Sequence, residues 1–527
     1  MDIRNIRKLV AVILVITSLI TLSSCGKKLY KQKEGNNAVD AALAISYEAV
    51  KTDCPAENYI MDIKLDTENQ TVSGKTTVKL TNESAESLNQ LCFNFYAVAI
   101  TKKSAITAVR DSATGKNLSF SADKKNPAFI TIDLENSFAP DESKTIELDF
   151  TSVIPDTECR YGYHDYENGR MYHLMHCFPQ IAFFDNGEWV NSTYIEAGES
   201  LYNEMSDYSV TLTAPADYVV LASGKNETVN GKTTIEAKNV REIAITACNF
   251  ATVLTKVVNG VEFNLLKPEY NYDDKSVLAD LYAMTMDVAI ESVKIFSEKV
   301  GEYIYDEIDI IPMTIDESYG VGGMEMPGYI QVSIPGALKD SSNYDEKSAL
   351  YQTINMVCHE MGHQWFYCAV GNDQANEPWL DESFTSYLEN YFMLNARDFY
   401  STADKLFRNV YNEPYIESDY SMYANYGDPA DLFSDKDSDI CYINLPADLY
   451  SLKVYSGIVY DSGSDFLTAL EKTMGEKKFF DMLSDWYNSN KNHVVDGYAF
   501  IQHLMKYDSS DAVKEIVNTY ISDEYLR

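Results

Sequence analysis

His359 and His363 stand four residues apart in His359-Glu360-Met361-Gly362-His363, and Glu382 follows after eighteen intervening residues, inside Trp379-Leu380-Asp381-Glu382-Ser383-Phe384. Two imidazoles at this spacing on a helix share one face and can reach one metal ion. A carboxylate as third ligand leaves the fourth tetrahedral position for water, which is how catalytic zinc sites differ from structural ones. Water on such a metal ionises near pH 7. The carboxylate that follows the first histidine is placed to take its proton, so Glu360 is the candidate general base. With seven histidines in 527 residues, a chance match to this pattern is on the order of one in a hundred. The chain is therefore expected to hold one Zn2+ through His359, His363 and Glu382.

Together these residues resemble the gluzincin site of the aminopeptidase N and leukotriene hydrolase family. The family pattern at the third ligand is W-L-N-E-G-F; this chain has Asp381 for the asparagine and Ser383 for the glycine. Upstream, Gly322-Gly323-Met324-Glu325-Met326 is similar to the family's G-x-M-E-N element, with Met326 in place of its asparagine. In the family this element is an edge strand along the substrate groove, and its glutamate binds the free α-amino group. The resemblance thus makes Gly323, Met324 and Glu325 substrate-binding residues. Taken alone, the glycines would suggest only a turn or bulge. Downstream, Tyr455-Ser456-Gly457-Ile458-Val459-Tyr460-Asp461-Ser462-Gly463 resembles the segment around the family's catalytic tyrosine, commonly Y-E-K-G. The resemblance gives Tyr460 the part of oxyanion donor and Tyr455 that of a second, substrate-side tyrosine.

The resemblance spans roughly residues 55–527. It implies an α+β chain: an antiparallel β-saddle domain, then a thermolysin-like, mainly helical zinc peptidase domain with a small sheet. Phe178-Pro179-Gln180 and the stretch from Ser206 to Gly224 look like the β-saddle, but its substrate-lining glutamine has no evident counterpart. The family's C-terminal helical-repeat domain has no counterpart either, so a cleft that is more open, or covered by a partner, is expected.

The elements that must carry these residues show in the hydrophobic period. Val72, Gly74, Thr76, Val78 and Leu80 alternate with polar neighbours, as do Ile130 to Leu134, Ile146 to Phe150 and Tyr208 to Leu212. Two-residue periods broken by Asn, Asp, Gly and Pro predict an antiparallel β domain over 51–257. From 258 to 527 the period becomes helical, with a strand at Ile308–Pro312. Val277, Leu281, Met284, Val288 and Val293 mark a helix from Ser276 to Val300. Leu350, Ile354, Val357, Met361 and Trp365 form the apolar stripe of the helix bearing the histidines. A further helix is predicted from Asp381 past Tyr391. Residues 398–450 are acidic and tyrosine-rich, and read as a partly helical excursion near the site.

Arg4, Arg7 and Lys8 precede an apolar stretch from Leu9 to Leu22, too short for a comfortable membrane span, and Leu22-Ser23-Ser24-Cys25 closes it. This resembles a bacterial lipobox. It predicts a signal peptide over 1–24, lipidation at Cys25, a polar tether over 25–50, and an extracytoplasmic body held to the cell membrane by its lipid. The formal charge is −37; losing residues 1–24, with three bases and one acid, makes it −39. Such a surface repels nucleic acid. Lys27, Lys28, Lys31 and Lys33 are the local exception, suited to anionic head groups or to a solvated spacer. The remaining eight cysteines are sparse and lack C-x-x-C spacing, so buried free thiols are expected for most.

The leading functional expectation is a lipid-anchored zinc aminopeptidase acting on peptides with a free N-terminus. A zinc endo- or oligopeptidase is the first alternative, because Met326 and the absent repeat domain loosen end recognition. A surface binding protein with a decayed site is the second.

Overall fold

The computed structural model describes residues 35–46, 50–158, 160–195, 198–269, 275–313, 322–334, 346–396, 442–450 and 452–527. Cys25 and the apolar N-terminal stretch lie outside them, as do Cys159, Cys441 and most of the tyrosine-rich excursion. The six described cysteines, Cys54, Cys92, Cys177, Cys248, Cys358 and Cys368, are buried free thiols. No described helix is long and apolar enough to cross a membrane.

The N-terminal half is built from sheets, as the alternation predicts. A seven-stranded sheet runs in the order Lys225–Val229, Lys232–Val240, Ser206–Thr213, Ala56–Asp66, Thr71–Thr81, Ser143–Val153, Ala105–Asp111. Its inward side chains, including Tyr59, Met61, Val78 and Leu148, share one core with Phe93 and Ile132 of a four-stranded sheet. One pairing departs from the antiparallel expectation: Ala56–Asp66 and Ser206–Thr213 run parallel. The chain forms two further sheets before it returns, so no hairpin constrains the direction of that strand.

A five-stranded mixed sheet opens the second half, in the order Ala251–Val258, Val261–Pro268, Glu307–Met313, Tyr329–Ser333, Gly323–Met326. Its first strand begins before residue 257, so the expected domain boundary falls inside a hairpin that belongs wholly to this sheet. Glu307–Met313 is buried at every position, as a central strand flanked by parallel neighbours should be. Gly323–Met326 is an edge strand, paired among the described residues with Tyr329–Ser333.

A short helix, α1 (Ala38–Leu43), corrects the tether expected over 25–50. Ala38, Val39 and Ala42 are buried, Asn36 donates its amide to the carbonyls of Asn518 and Ile521, and Gln502 donates to those of Ala42 and Ile45. The apolar i, i+1, i+4 set of α1 is covered by the C-terminal helices, so this part of the segment is docked. Helices α2 (Lys275–Lys299), α3 (Glu346–Gly362) and α4 (Trp379–Asn395) pack against one another. Ile354, Val357 and Met361 of α3 are fully buried, but the helix stops at Gly362, three residues and less than one turn short of Trp365. Its last amide bonds extend into a turn in which Cys368 N–H returns to the His363 carbonyl at 3.0 Å. Beyond α4, Ser456–Ser462 forms a π-helical turn that leads into α5 (Gly463–Met474). Helices α6 (Glu476–Asn490), α7 (Gly497–Tyr507) and α8 (Asp511–Tyr520) complete the helical half expected over 258–527.

Candidate active site

α3 and α4 bring the three nominated ligands together. Glu382 Oε2 lies 3.3 Å from His359 Nε2 and 3.2 Å from His363 Nε2, and one ligand atom from each residue falls within 4.8 Å of the others. The opposite ring nitrogens are held. His359 Nδ1 is 2.9 Å from Glu389 Oε2, and the Asn355 amide donates to the other oxygen of Glu389. His363 Nδ1 is 3.2 Å from the Phe366 carbonyl, which can only accept, and 3.2 Å from the Thr385 hydroxyl. Each ring is therefore oriented by its Nδ1 partners, with Nε2 turned toward Glu382 and able to bind a metal once its proton is displaced. Glu382 Oε2 and Glu360 Oε2 are buried without a hydrogen-bond partner among the described residues. Two ring nitrogens and an unsatisfied carboxylate oxygen, converging in a buried site, fit Zn2+.

The electrostatics point the same way. Burial alone would depress the two imidazoles, but Glu382 and Glu389 beside His359, and Glu325 and Glu382 beside His363, raise both, His363 to about 10. Glu382 moves oppositely: burial would raise it, and His363 and His359 hold it well below the usual carboxylate range. Burial lifts Glu360 to about 8, with Glu325 and Glu382 adding to the push against the two histidines. Four carboxyl groups, those of Glu325, Glu360, Glu382 and Glu389, gather around two imidazoles, and burial resists charging Glu325 and Glu360 without a cation.

Every nominated residue in the body of the chain lines one cleft: His359, His363, Glu382, Glu360, Tyr460, Glu325, Gly323, Met324 and Tyr455. The cleft encloses about 320 Å³, at the small end of ligand pockets and enough for a terminal residue rather than a folded partner. Tyr460 donates its hydroxyl to Glu382 Oε1 and lies parallel to the His359 ring, 5.7 Å away. Tyr455 meets Tyr460 edge-on at 5.9 Å. A π-helical turn, which adds a residue per turn, carries Tyr460. At Gly323 a Cβ would collide with the Glu360 carboxylate, so only glycine lets the edge strand pass the base this closely.

The departures from the family pattern are accommodated. Met326 is buried, and the Gln364 amide, next to His363, donates to its carbonyl and accepts from Gly328 N–H, both at 2.9 Å. The hairpin carrying Glu325 is thus pinned to the end of α3. Asp381 takes the Gln374 amide at 2.9 Å on one oxygen and Glu382 N–H at 2.9 Å on the other.

Sequence reading missed several residues of the site. Glu389 lies seven residues after Glu382 and Asn355 four before His359, so helical spacing alone placed both on the ligand faces. Arg160 and Glu199 also line the cleft, paired at 2.6 Å and both buried. They come from irregular chain in the β half and had no periodic signal. His173 and His176 are buried and are not among the lining residues.

The sequence carries two family signatures. The Peptidase family M1 domain matches residues 284–520, and the Peptidase M1 N-terminal domain matches residues 55–179. The chain belongs to peptidase family M1. Among curated relatives, this M1 chain is similar to leucine aminopeptidase 2 of Lodderomyces elongisporus, 24% identical over 236 residues, 42% of this chain and 34% of the relative. It is also similar to leucine aminopeptidase 2 of Aspergillus niger, 26% identical over 216 residues, 40% of this chain and 30% of the relative. These matches span about a third of the relatives' length. The native yeast LTA4 hydrolase structure shares the M1 chain's fold, with a TM-score of 0.62 at 17% identity, over 90% of this chain and 68% of that one. The β-rich half followed by a helical half is that common architecture.

Proposed function

We propose that this M1 chain is a zinc aminopeptidase that removes N-terminal residues from peptides. The observation that carries the reading is the placement of Glu325 in the same cleft as the His359, His363 and Glu382 triad. A buried carboxylate beside the metal site pairs with an ammonium and so selects a chain end.

His359, His363 and Glu382 would hold one Zn2+, which when bound supplies a Lewis acid and a readily ionised water. Glu360, buried and with a free Oε2, takes the proton of the attacking water and returns it to the leaving amine. Glu325 binds the substrate ammonium. The outer edge of Gly323–Met326 is unpaired in its sheet and offers backbone groups to an extended peptide. Tyr460 turns its hydroxyl from Glu382 to the oxyanion as it forms. Gly323 keeps the strand against Glu360, so peptide and base meet at a fixed distance.

The lipobox adds a location. The mature chain begins at a lipidated Cys25 and faces the outside of the cell membrane. Its negative surface is unsuited to nucleic acid, and its substrates are small peptides reaching the anchored body.

A panel of aminoacyl reporter substrates, free and N-acetylated, with and without chelator, tests the activity. Hydrolysis of the free series alone, abolished by chelator and restored by Zn2+, is expected. Equal hydrolysis of blocked substrates would make it an endopeptidase, and metal-free, inactive protein would make it a binding protein. For location, fatty-acid labelling and membrane recovery should both disappear in Cys25→Ala; an unlabelled wild type would remove the anchor.

A further inference from the structure

We propose that Gln374 is a positioning residue that aims Glu325 at the substrate ammonium, an inference that rests on the aminopeptidase reading. Gln374 lies in the loop between α3 and α4. Its Nε2 is 2.9 Å from Glu325 Oε1 and 2.9 Å from Asp381 Oδ2. An amide nitrogen has two hydrogens, and each carboxylate takes one. All three side chains are buried, Gln374 to 1% exposure. Glu325 lines the cleft, whereas Gln374 is not among the lining residues, so it acts through Glu325.

The arrangement is anchored on both sides. Gln374 N–H donates to the Leu201 carbonyl at 3.3 Å, two residues from Glu199. Asp381 is fixed because its other oxygen receives Glu382 N–H at 2.9 Å. The family's asparagine has a single side-chain oxygen for both bonds; an aspartate has one for each. Asp381 and Gln374 therefore form one device. Its effect is to spend Glu325 Oε1 on a fixed donor and leave Oε2 for a ligand cation. Without the amide, two buried carboxylates face each other with nothing between them. Glu325 then has to be ordered at the moment of binding, which weakens recognition of the amine.

The probes are leucine hydroxamate and its des-amino counterpart, 4-methylpentanohydroxamic acid, titrated by calorimetry into the full-length zinc-loaded protein. Both share the metal-binding end and differ in the ammonium. The wild type should bind the amine more tightly. In Gln374→Met, which keeps length and loses the donor, that advantage should shrink by about 10-fold or more. Affinity for the des-amino compound and zinc content should stay the same. Gln374→Leu, which also removes the donor and adds no third carboxyl group, should behave alike. An undiminished amine advantage in either variant overturns the proposal, as does equal weakening of both probes or loss of zinc, which would mark a merely structural role. A wild type with no amine advantage would instead overturn the aminopeptidase reading itself.

Discussion

Ser383 donates its hydroxyl to the Val459 carbonyl at 2.6 Å, joining the residue after Glu382 to the residue before Tyr460. Glu382 and Tyr460 are thereby held to one another through their chain neighbours. Gly463 makes the contact possible, since a Cβ there would run into Ser383 Oγ. Gly463→Ala should destabilise the chain by about 1–3 kcal/mol, the usual cost of overpacking. Adding Ser383→Gly should recover most of that loss. Thermal or denaturant unfolding of the single and double variants checks it, and independent, additive effects would mean the two positions do not share the space.

Tyr460 sits parallel to His359 with its hydroxyl on Glu382. Tyr460→Phe removes one oxyanion donor and leaves the ring packing. Its kcat should fall by about 100-fold or more, with KM little changed. Steady-state kinetics on an aminoacyl reporter decides it; a change confined to KM would reassign Tyr460 to substrate binding.

Glu360 and His363 separate chemistry from metal binding. Glu360→Gln preserves shape beside Gly323 and should keep zinc while losing turnover, because an amide cannot take the proton. His363→Ala removes a ligand from the buried set and should lose zinc outright. Elemental analysis of both proteins gives the answer. In the wild type, chelation should lower the unfolding temperature, since it withdraws a cation from a site crowded by Glu325, Glu360 and Glu382. An unchanged unfolding temperature would place the metal elsewhere.

The reach of the sequence follows from how each residue reports its neighbours. His359 and His363 were legible because helical spacing turns sequence distance into a shared face, and Glu382, on the next helix, because its segment resembles the family pattern. The strands of the first sheet were legible because a half-buried strand alternates. The parallel pairing of Ala56–Asp66 with Ser206–Thr213 was not, because alternation says nothing about strand direction. The docking of α1 was missed because an Ala-rich stretch beside a lipobox resembles a spacer until the C-terminal helices are seen to cover it. Arg160 and Glu199 meet across the cleft from irregular chain, and their pairing is set only by the folded β half.

His176, which is not among the residues lining the cleft, gives a stability test. Its ring lies between Tyr96 and Tyr194, with centroids 5.5 and 6.0 Å away, and both ring nitrogens are buried without a hydrogen-bond partner. Burial, with Arg160 adding to it, pushes the imidazole down to about 3. The folded chain therefore keeps it neutral, while the unfolded chain takes up a proton below about pH 6.5. The associated stability is complete above pH 6.5 and is lost progressively as pH falls toward the folded value, at about 1.4 kcal/mol per pH unit. His176→Phe fills the same aromatic slot and cannot titrate. Its backbone, at φ 55°, carries a strain that does not vary with pH. Relative to this variant, the wild type should lose about 2 kcal/mol between pH 6.5 and 5. Denaturant unfolding across that range measures the difference, and parallel curves would show that His176 is protonated, or solvated, in the fold.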